Sequence, residues 1–144
     1  PIFAPPGVII RRLEPHDLPI VQTLDQRAFE RLWQVSHATL TRAYQQSAYA
    51  TVAEVEGEIV GYQICTATDI NAHLARLAVD PNRQRAGIGA ALLHDIQVHF
   101  YRQRLRYVTV NTQSDNHASL SLYERLGFFR SGDRFPVYCL HNPH

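Results

Sequence analysis

The segment NRQRAGIGAALL, residues 82–93, constrains the fold of this chain more than any other. It follows an apolar run that ends at Asp80-Pro81, and it leads into apolar residues at helical spacing from Ile88 to Phe100. The order of strand, glycine turn and helix brings the unpartnered N–H groups of a helix start next to a backbone without bulky side chains. Such a turn can hold an anion, because the helix dipole also favours negative charge there.

The residues of the turn narrow the choice of anion. Arg83 and Arg85 add positive charge at its rim. The turn lacks the GK[ST] of a P-loop, and Leu92 stands where a dinucleotide fingerprint needs a third glycine. Two interpretations stay open from spacing alone, since the glycines either bind an anion or only relieve crowding at a tight turn.

The strands expected from apolar and β-branched runs are short. They are GVIIRRLE, a pair within AYATVAEVEGEIVGYQICTAT that turns at Glu56-Gly57, AHLARLAVDP, RYVTVNTQ, and a closing hairpin of GFFRSGD and FPVYCL. In AHLARLAVDP, Leu74 and Leu77 are three apart while Leu77 and Val79 are two apart, so one period-two strand cannot place all three on one face. Either a β-bulge near Ala75-Arg76 restores the phase, or the sheet is buried on both faces.

Four helices are expected between these strands. Asp17 is positioned to cap the first, whose apolar spacing runs from Leu18 to Leu32, and Ser36 is positioned to cap the second. The third starts in the glycine segment, and the fourth is DNHASLSLYERLG, with Gly127 as its stop. Helices mixed with mainly hairpin-linked strands predict an α+β or mixed α/β fold.

Composition excludes several classes of function. The 144 residues are 45% hydrophobic and 19% charged, which predicts one globular domain over residues 1–144. The net charge of +1 argues against a nucleic-acid-binding surface over the whole domain, and no apolar run is long enough to span a membrane. All 14 basic residues are arginine, which removes Schiff-base chemistry. The two cysteines, Cys65 and Cys139, form no CxxC pair, so no structural metal and a reducing, cytoplasmic location are expected.

Two segments resemble signatures of the GCN5-related N-acetyltransferase (GNAT) superfamily. LAVDPNRQRAGIGAALL is similar to its coenzyme-A signature, Q/R-x-x-G-x-G/A, which here reads Gln84 to Gly89. Thirty residues on, DNHASLSLYERLGF is similar to its second signature, an Asn followed seven residues later by Tyr and then by Gly-Phe. The resemblance covers roughly residues 7–140. It implies a mostly antiparallel, twisted sheet of about 6–7 strands with about four helices, splayed between two central parallel strands.

The resemblance also implies acetyl-CoA as cofactor and transfer of its acetyl group to a primary amine in a ternary complex. The backbone at the helix start would bind the pyrophosphate, and the strand around Leu77 would pair with the pantetheine arm and supply an N–H to the developing oxyanion. The residues assigned to the cofactor are Leu77, Ala78, Val79, Gln84, Arg85, Ala86, Gly87, Ile88, Gly89, Ala90 and Asn116.

Tyr123 occupies the general-acid position of the resemblance, and its phenol is protonated at neutral pH. Without the signature around it, Tyr123 would be interpreted as a core aromatic of an amphipathic helix, and Asn116 as a helix cap. The general base is less defined. His73 titrates in the right range and starts the strand beside the thioester, although a lone histidine on a strand is often only packed. Glu54, Glu56 and Glu58 lie along the predicted hairpin.

The N-terminal half broadly resembles the branch that acetylates the N-terminal alanine of a ribosomal protein, including Trp33. That branch carries a glutamate base five residues before the signature Asn, where this chain has Asn111, and its substrate loop is longer than RSGDRFP. The acceptor is therefore left open among peptide N-termini, lysine side chains and small amines. The protein is expected to be a monomer or a homodimer. A non-catalytic acyl-CoA-binding or sensing module, and a nucleotide-binding protein that uses the glycine turn alone, are the competing hypotheses.

Overall fold

The described residues form one sheet of seven strands with helices on both faces. In a computed structural model, the described residues are 6–29, 34–83, 87–111, 129–131 and 137–141, with backbone only for residue 111 and the last two ranges. The strands are β1 Val8–Arg12, β2 Tyr49–Val55, β3 Glu58–Ala67, β4 Asn71–Val79, β5 Tyr107–Asn111, β6 Phe129–Ser131 and β7 Val137–His141. The α-helices are α1 Leu18–Ala28, α2 His37–Gln45 and α3 Ile88–Arg102.

The strand order is β1-β2-β3-β4-β5-β7-β6. Of the strand pairs that the structure describes, β4 with β5 is parallel and the others are antiparallel. The mixed α+β architecture predicted from the sequence is confirmed. The predicted fourth helix, residues 115–127, lies outside the described residues.

Each face of the sheet has its own apolar core. On one face, α1 and α2 pack on the sheet through a cluster that contains Val21 and Leu24 of α1 with Val52 and Ile64 of the strands. On the other face, Ile96 and Phe100 of α3 pack with residues of β4 and β5. Because successive strand residues alternate between faces, neighbouring positions of β3 and β4 serve the two cores in turn.

Local turn and cap chemistry sets several element boundaries. Glu56 and Gly57 have φ of 52° and 81°, so both central residues of the β2–β3 turn are left-handed, as the predicted two-residue hairpin requires. The Ser36 side chain accepts a hydrogen bond from the Thr39 N–H at 3.1 Å, which confirms the predicted cap of α2. Both features follow from the residue types alone.

Asp17 stands at the predicted N-cap position of α1, which begins at Leu18, but its side chain does not cap the helix. Its carboxylate makes no cap hydrogen bond to α1. Instead it accepts from the Glu14 N–H at 2.8 Å, within a single 3₁₀ turn over residues 15–17, and from both terminal nitrogens of Arg11. A nearby guanidinium competes better for a carboxylate than a neutral N–H does, because both partners are charged.

A register shift interrupts the pairing of β3 with β4. Ile64 lies opposite Arg76 and Cys65 lies opposite Leu74, so Ala75 is an extra residue in β4. The shift lets Leu74 and Leu77 belong to clusters on the α3 face, although they are three residues apart. The β-bulge predicted near Ala75-Arg76 is therefore confirmed.

Candidate active site

The glycine turn ends at a left-handed residue. Gly87 has φ 81° and is the N-terminal cap residue of α3, with no side chain to cap the helix. Its carbonyl accepts the N–H of Ala91 at 3.0 Å, which opens the helical hydrogen-bond series. The N–H groups of Ile88, Gly89 and Ala90 therefore have no acceptor within the helix and form the donor set of its first turn.

A second glycine brings this helix start close to the sheet. A Cβ placed on Gly61 of β3 would lie 3.1 Å from Ile88 Cγ2 and 3.2 Å from Leu92 Cδ1. Ile88 and Leu92 are both buried, so neither can swing into solvent. The absence of a side chain at position 61 thus fixes how near the donor set of α3 lies to β3 and β4.

Beside the helix start, β4 has an edge to which no described strand is paired, called the open edge below. Its pairing with β5 runs from Asn71 opposite Tyr107 to Leu74 opposite Val110. Beyond that point β4 continues to Val79, and no further β5 partner is present among the described residues. Within the described ranges, the stretch of β4 after the bulge is thus unpaired on the side of β5, and the space beside it is called the gap below.

Backbone alternation decides which residues face this gap. The Asp80 N–H donates to the Val60 carbonyl at 2.8 Å, next to the pair of Gly61 with Val79. Because hydrogen-bonded pairs alternate along antiparallel strands, Ala78 exchanges its bonds with β3, whereas the N–H and C=O groups of Leu77 and Val79 point to the gap. Of the three β4 residues predicted to meet the cofactor, Leu77 and Val79 have backbone groups directed there and Ala78 does not.

His73 lies on β4 where it still pairs with β5. Its Nδ1 is 3.0 Å from Thr109 Oγ1, and the Thr109 hydroxyl donates to the Ala72 carbonyl at 3.4 Å. In the arrangement where the hydroxyl donates to the carbonyl, it accepts from Nδ1–H, and Nε2 then carries the lone pair. Burial lowers the pKa of the half-buried imidazole below its ordinary value, so His73 is neutral at pH 7. The sequence analysis missed Thr109, because the contact depends on the β4–β5 register.

The glutamates of the hairpin lie away from this gap. Glu54 is on β2 opposite Ile9 of β1 and forms a salt bridge with Arg11 Nε. Glu56 is in the β2–β3 turn, and Glu58 is exposed at the start of β3. The structure therefore does not bring these carboxylates together with His73.

A buried ion pair adjoins the bulge and escaped the sequence analysis. Asp25 of α1 is 0% exposed and accepts Arg76 Nε at Oδ1 and Arg76 Nη2 at Oδ2, each at 2.9 Å. The Tyr62 hydroxyl donates to Oδ1 at 2.7 Å. The sequence did contain a sign of this pair. Asp25 lies four residues after Val21 and three before Ala28, so its charged side chain is on the apolar face of the helix, where a charge needs a partner.

Several predicted residues lie outside the described parts of the chain. These are Trp33, Gln84, Arg85, Ala86, Asn116 and Tyr123. Asn111 is described by its backbone alone, as the end of β5 and opposite Val137 of β7. Among the residues whose side chains are described, no group of three or more His, Cys, Asp and Glu side chains is arranged to hold a metal ion. No helix within the described ranges is long and apolar enough to cross a bilayer.

Comparison with known proteins agrees with the strand–turn–helix geometry. The chain is 28% identical over 133 residues to an uncharacterized N-acetyltransferase of Methanocaldococcus jannaschii, covering 91% of this chain and 83% of that protein. It is 29% identical over 119 residues to the [ribosomal protein bS18]-alanine N-acetyltransferase of Escherichia coli, covering 83% and 79% of the two chains.

Solved structures share the fold. The crystal structure of the Escherichia coli ribosomal-protein-S18-alanine N-acetyltransferase superposes with a TM-score of 0.83 and 25% identity, covering 95% of each chain. The PaiA N-acetyltransferase of Thermoplasma acidophilum, solved in complex with coenzyme A, superposes with a TM-score of 0.81 at 14% identity, covering 95% of this chain and 99% of the other.

The family model "Acetyltransferase (GNAT) family" matches residues 18–128, which span α1 to β5 and include the glycine turn, the open edge of β4 and both predicted signatures. This match extends over more than half of the 144 residues. The chain therefore belongs to the GNAT family of acetyltransferases.

Proposed function

We propose that this protein is an acetyl-CoA-dependent N-acetyltransferase that transfers the acetyl group to a primary amine by direct attack in a ternary complex. The observation that carries the proposal is the open edge of β4 beside the first turn of α3. Two sets of backbone groups, from Leu77 and Val79 and from residues 88–90, then border one gap. The same proposal takes residues 1–144 as one domain, because a single sheet includes strands from Val8 to His141.

Acetyl-CoA is the acyl donor of the family, and the residues present fit it. Gly87 leaves the start of α3 without a side chain, and the N–H groups of residues 88–90 would bind the diphosphate. The gap-facing N–H and C=O groups of Leu77 and Val79 would pair with the amides of the pantetheine arm, as an added strand does. When bound, the coenzyme supplies an activated acetyl thioester. Gln84, Arg85 and Ala86 would extend the diphosphate site, and Asn116 would bind on the cofactor side.

His73 is the proposed general base. Its Nδ1 is held by Thr109, so Nε2 carries the lone pair that can take a proton. The lowered pKa of the imidazole keeps that lone pair available at neutral pH. An alkyl ammonium group must lose a proton before it can attack, and the neutral imidazole is suited to receive it.

Tyr123 is the proposed general acid, because its phenol remains protonated at neutral pH and can return a proton to the departing thiolate. The N–H of Leu77 is the proposed donor to the developing oxyanion, since it is one of the gap-facing groups of β4. Both assignments rest on the second signature and on the orientation of the open edge.

The acceptor is proposed only as a primary amine. One relative is a [ribosomal protein bS18]-alanine N-acetyltransferase, and with the resemblance noted in the sequence this makes peptide N-termini the first class to test. Asn111 stands at the position of the glutamate base of that branch, and an amide cannot accept a proton as a carboxylate does. Proton removal by His73 would replace that carboxylate, and small amines therefore belong in the same test.

The proposal is tested by release of free coenzyme A thiol. Purified protein is supplied with acetyl-CoA and a panel of N-terminal peptides, lysine peptides, polyamines, amino acids and aminoglycosides, and acetyl-CoA binding is measured by calorimetry. We expect binding, and turnover with at least one class. Tyr123→Phe should slow turnover more than it weakens binding. Binding without turnover across the panel would favour an acyl-CoA-binding or sensing module, and tighter binding of ATP or NAD than of coenzyme A would refute the proposal.

A further inference from the structure

Two ion pairs of opposite polarity join helix α1 to β4 and to the residue that directly follows it. In the first, Asp25 of α1 binds Arg76 of β4. In the second, Arg27 of α1 donates from Nη2 to Asp80 Oδ1 at 3.0 Å. Both α1 residues lie in the last turn of the helix, which ends at Ala28. The two pairs thus join one helical turn to a residue of β4 and to the residue directly after its end.

The first pair is saturated with hydrogen bonds. Besides two nitrogens of Arg76, the Asp25 carboxylate accepts the Tyr62 hydroxyl at Oδ1 and the Val35 N–H at Oδ2, the latter at 3.2 Å. The guanidinium of Arg76 also lies 3.9 Å from the ring centroid of Phe29. A planar fork with two bonds and a stacked ring fixes both the position and the orientation of the Arg76 side chain.

The second pair is attached to the start of the glycine turn. Asp80 Oδ1 accepts the Asn82 N–H at 2.9 Å as well as Arg27, and the Asp80 carbonyl accepts the Arg83 N–H at 2.8 Å. The Asp80 N–H is bonded to β3. Asp80 therefore joins the sheet, the beginning of the turn and α1 at one residue.

The two pairs flank the open edge. Arg76 immediately precedes Leu77, and Asp80 immediately follows Val79, so the gap-facing residues lie between the two anchored positions. Strand β5 does not pair with this part of β4 in the described ranges, and one side of the strand thus lacks the usual neighbour. The two ion pairs with α1 therefore fix the position of this part of β4, as hydrogen bonds to a second neighbouring strand would otherwise do.

We propose that Asp25 and Arg27 are positioning residues that hold the two ends of the open edge for coenzyme A, an inference that rests on the function proposed above. The Asp25–Arg76 pair sets the bulge end, where the pantetheine arm would pair with Leu77. The Arg27–Asp80 pair sets the far end, where the chain turns toward the diphosphate site of α3. The two pairs therefore act on different parts of one ligand.

The assignment of the two ion pairs to different parts of coenzyme A is tested with two ligands. These are coenzyme A itself and 3′-phospho-ADP, which carries the diphosphate without the pantetheine arm. Arg76→Lys keeps the charge but loses the bidentate fork, so it should weaken coenzyme A about tenfold and leave 3′-phospho-ADP within about twofold of wild type. Arg27→Gln should weaken both ligands by the same factor, about threefold to tenfold, because its pair is next to the part that they share. Calorimetry measures both dissociation constants for the wild type and for each variant.

Arg11→Gln is the matched control, since it removes salt bridges to Asp17 and Glu54 that do not involve β4. Both of its dissociation constants should stay at wild-type values. In amide NMR spectra of the unliganded protein, Arg76→Lys should shift Leu77 and Val79 more than Ile10, which reports on the open edge without any ligand.

The inference is overturned if Arg76→Lys binds both ligands as wild type does or weakens both equally, or if Arg27→Gln weakens coenzyme A alone. Unshifted amides of Leu77 and Val79 in Arg76→Lys would also contradict it. Wild-type protein that binds neither ligand would instead refute the proposed function, so the two failures are distinguishable.

Discussion

Gly61 of β3 lies directly beneath Ile88, the first residue of α3, with room for no more than a hydrogen atom between the backbone and the Ile88 side chain. A methyl group there would also come within 3.3 Å of the Ala78 carbonyl oxygen. The short distance between the first turn of α3 and the sheet is thus possible only because Gly61 has no side chain.

Gly61→Ala should separate α3 from the sheet by a few tenths of an ångström. We expect a loss of about 1–3 kcal/mol in the free energy of unfolding, the usual range for overpacking a core, together with weaker acetyl-CoA binding. Urea denaturation and calorimetry measure the two effects. Gly61→Ser should be worse in both, and an alanine variant with wild-type stability would show that Ile88 can move aside.

Gly87 and Gly57 offer a matched pair of substitutions, because both have φ of 81°. Alanine at either site should cost about 1–2 kcal/mol of stability through left-handed strain. Only Gly87→Ala should also weaken acetyl-CoA binding, since Gly57 lies in the β2–β3 turn. Gly87→Asn should recover part of the stability, because asparagine tolerates this conformation better than alanine does. Equal loss of binding in Gly57→Ala would contradict a local role for the glycine turn.

The proposed base predicts a characteristic pH profile. Burial lowers the pKa of His73 below its ordinary 6.5, so the imidazole is already neutral at pH 7 and loses its lone pair only as the pH falls further. The acid limb of kcat/KM due to this group should therefore lie below pH 6.5. His73→Gln should reduce kcat about 10²-fold or more and remove that limb, with acetyl-CoA binding nearly unchanged.

Thr109→Val is the companion to His73→Gln. It removes the hydroxyl that holds Nδ1 and should shift the acid limb while the imidazole remains. A His73→Gln enzyme with the wild-type profile would rule out His73 as the base.

His99 of α3 should make the protein less stable in acid. Its ring stacks on Tyr49 with centroids 3.6 Å apart, and burial and the charge of Arg12 are the main causes that lower the pKa of the imidazole. Since the unfolded chain binds the proton more readily, stability is complete above pH 6.5 and is lost as the pH falls through the folded-state pKa.

His99→Phe keeps the stacked ring and removes the titration, so the loss of Tm between pH 7 and pH 5 should shrink by about 1–3 °C after allowance for solvent screening. Scanning calorimetry at a series of pH values measures it. His94→Gln, on the same helix, controls for the loss of any histidine, and an equal change in both variants would contradict the assignment.

Short sequence patterns correctly predicted those structural features that depend on only a few consecutive residues. Ser36 caps α2, Glu56-Gly57 makes the hairpin, and the spacing of Leu74, Leu77 and Val79 revealed the bulge, because each depends on a few consecutive residues. The mixed α+β fold followed from the same patterns.

Long-range contacts were not predictable in this way. Asp17 could cap α1 by spacing, yet Arg11 binds it, because the charged partner is brought near by the path of the chain after β1. Asp25 and Thr109 acquire their roles only when α1 and β5 take their places beside β4. The assignments of Tyr123 and Asn116 remain predictions from the second signature.

The extra residue at Ala75 has a wider consequence for how sequence changes act on this domain. With the β3 register kept, deletion of that single alanine would leave Leu74 and Leu77 two residues apart, so a regular strand would keep both side chains on the α3 face but would lose the bend that a bulge adds. The loss of one codon would thus straighten the strand where it leaves β5 and keep every residue of the docking edge on its present side.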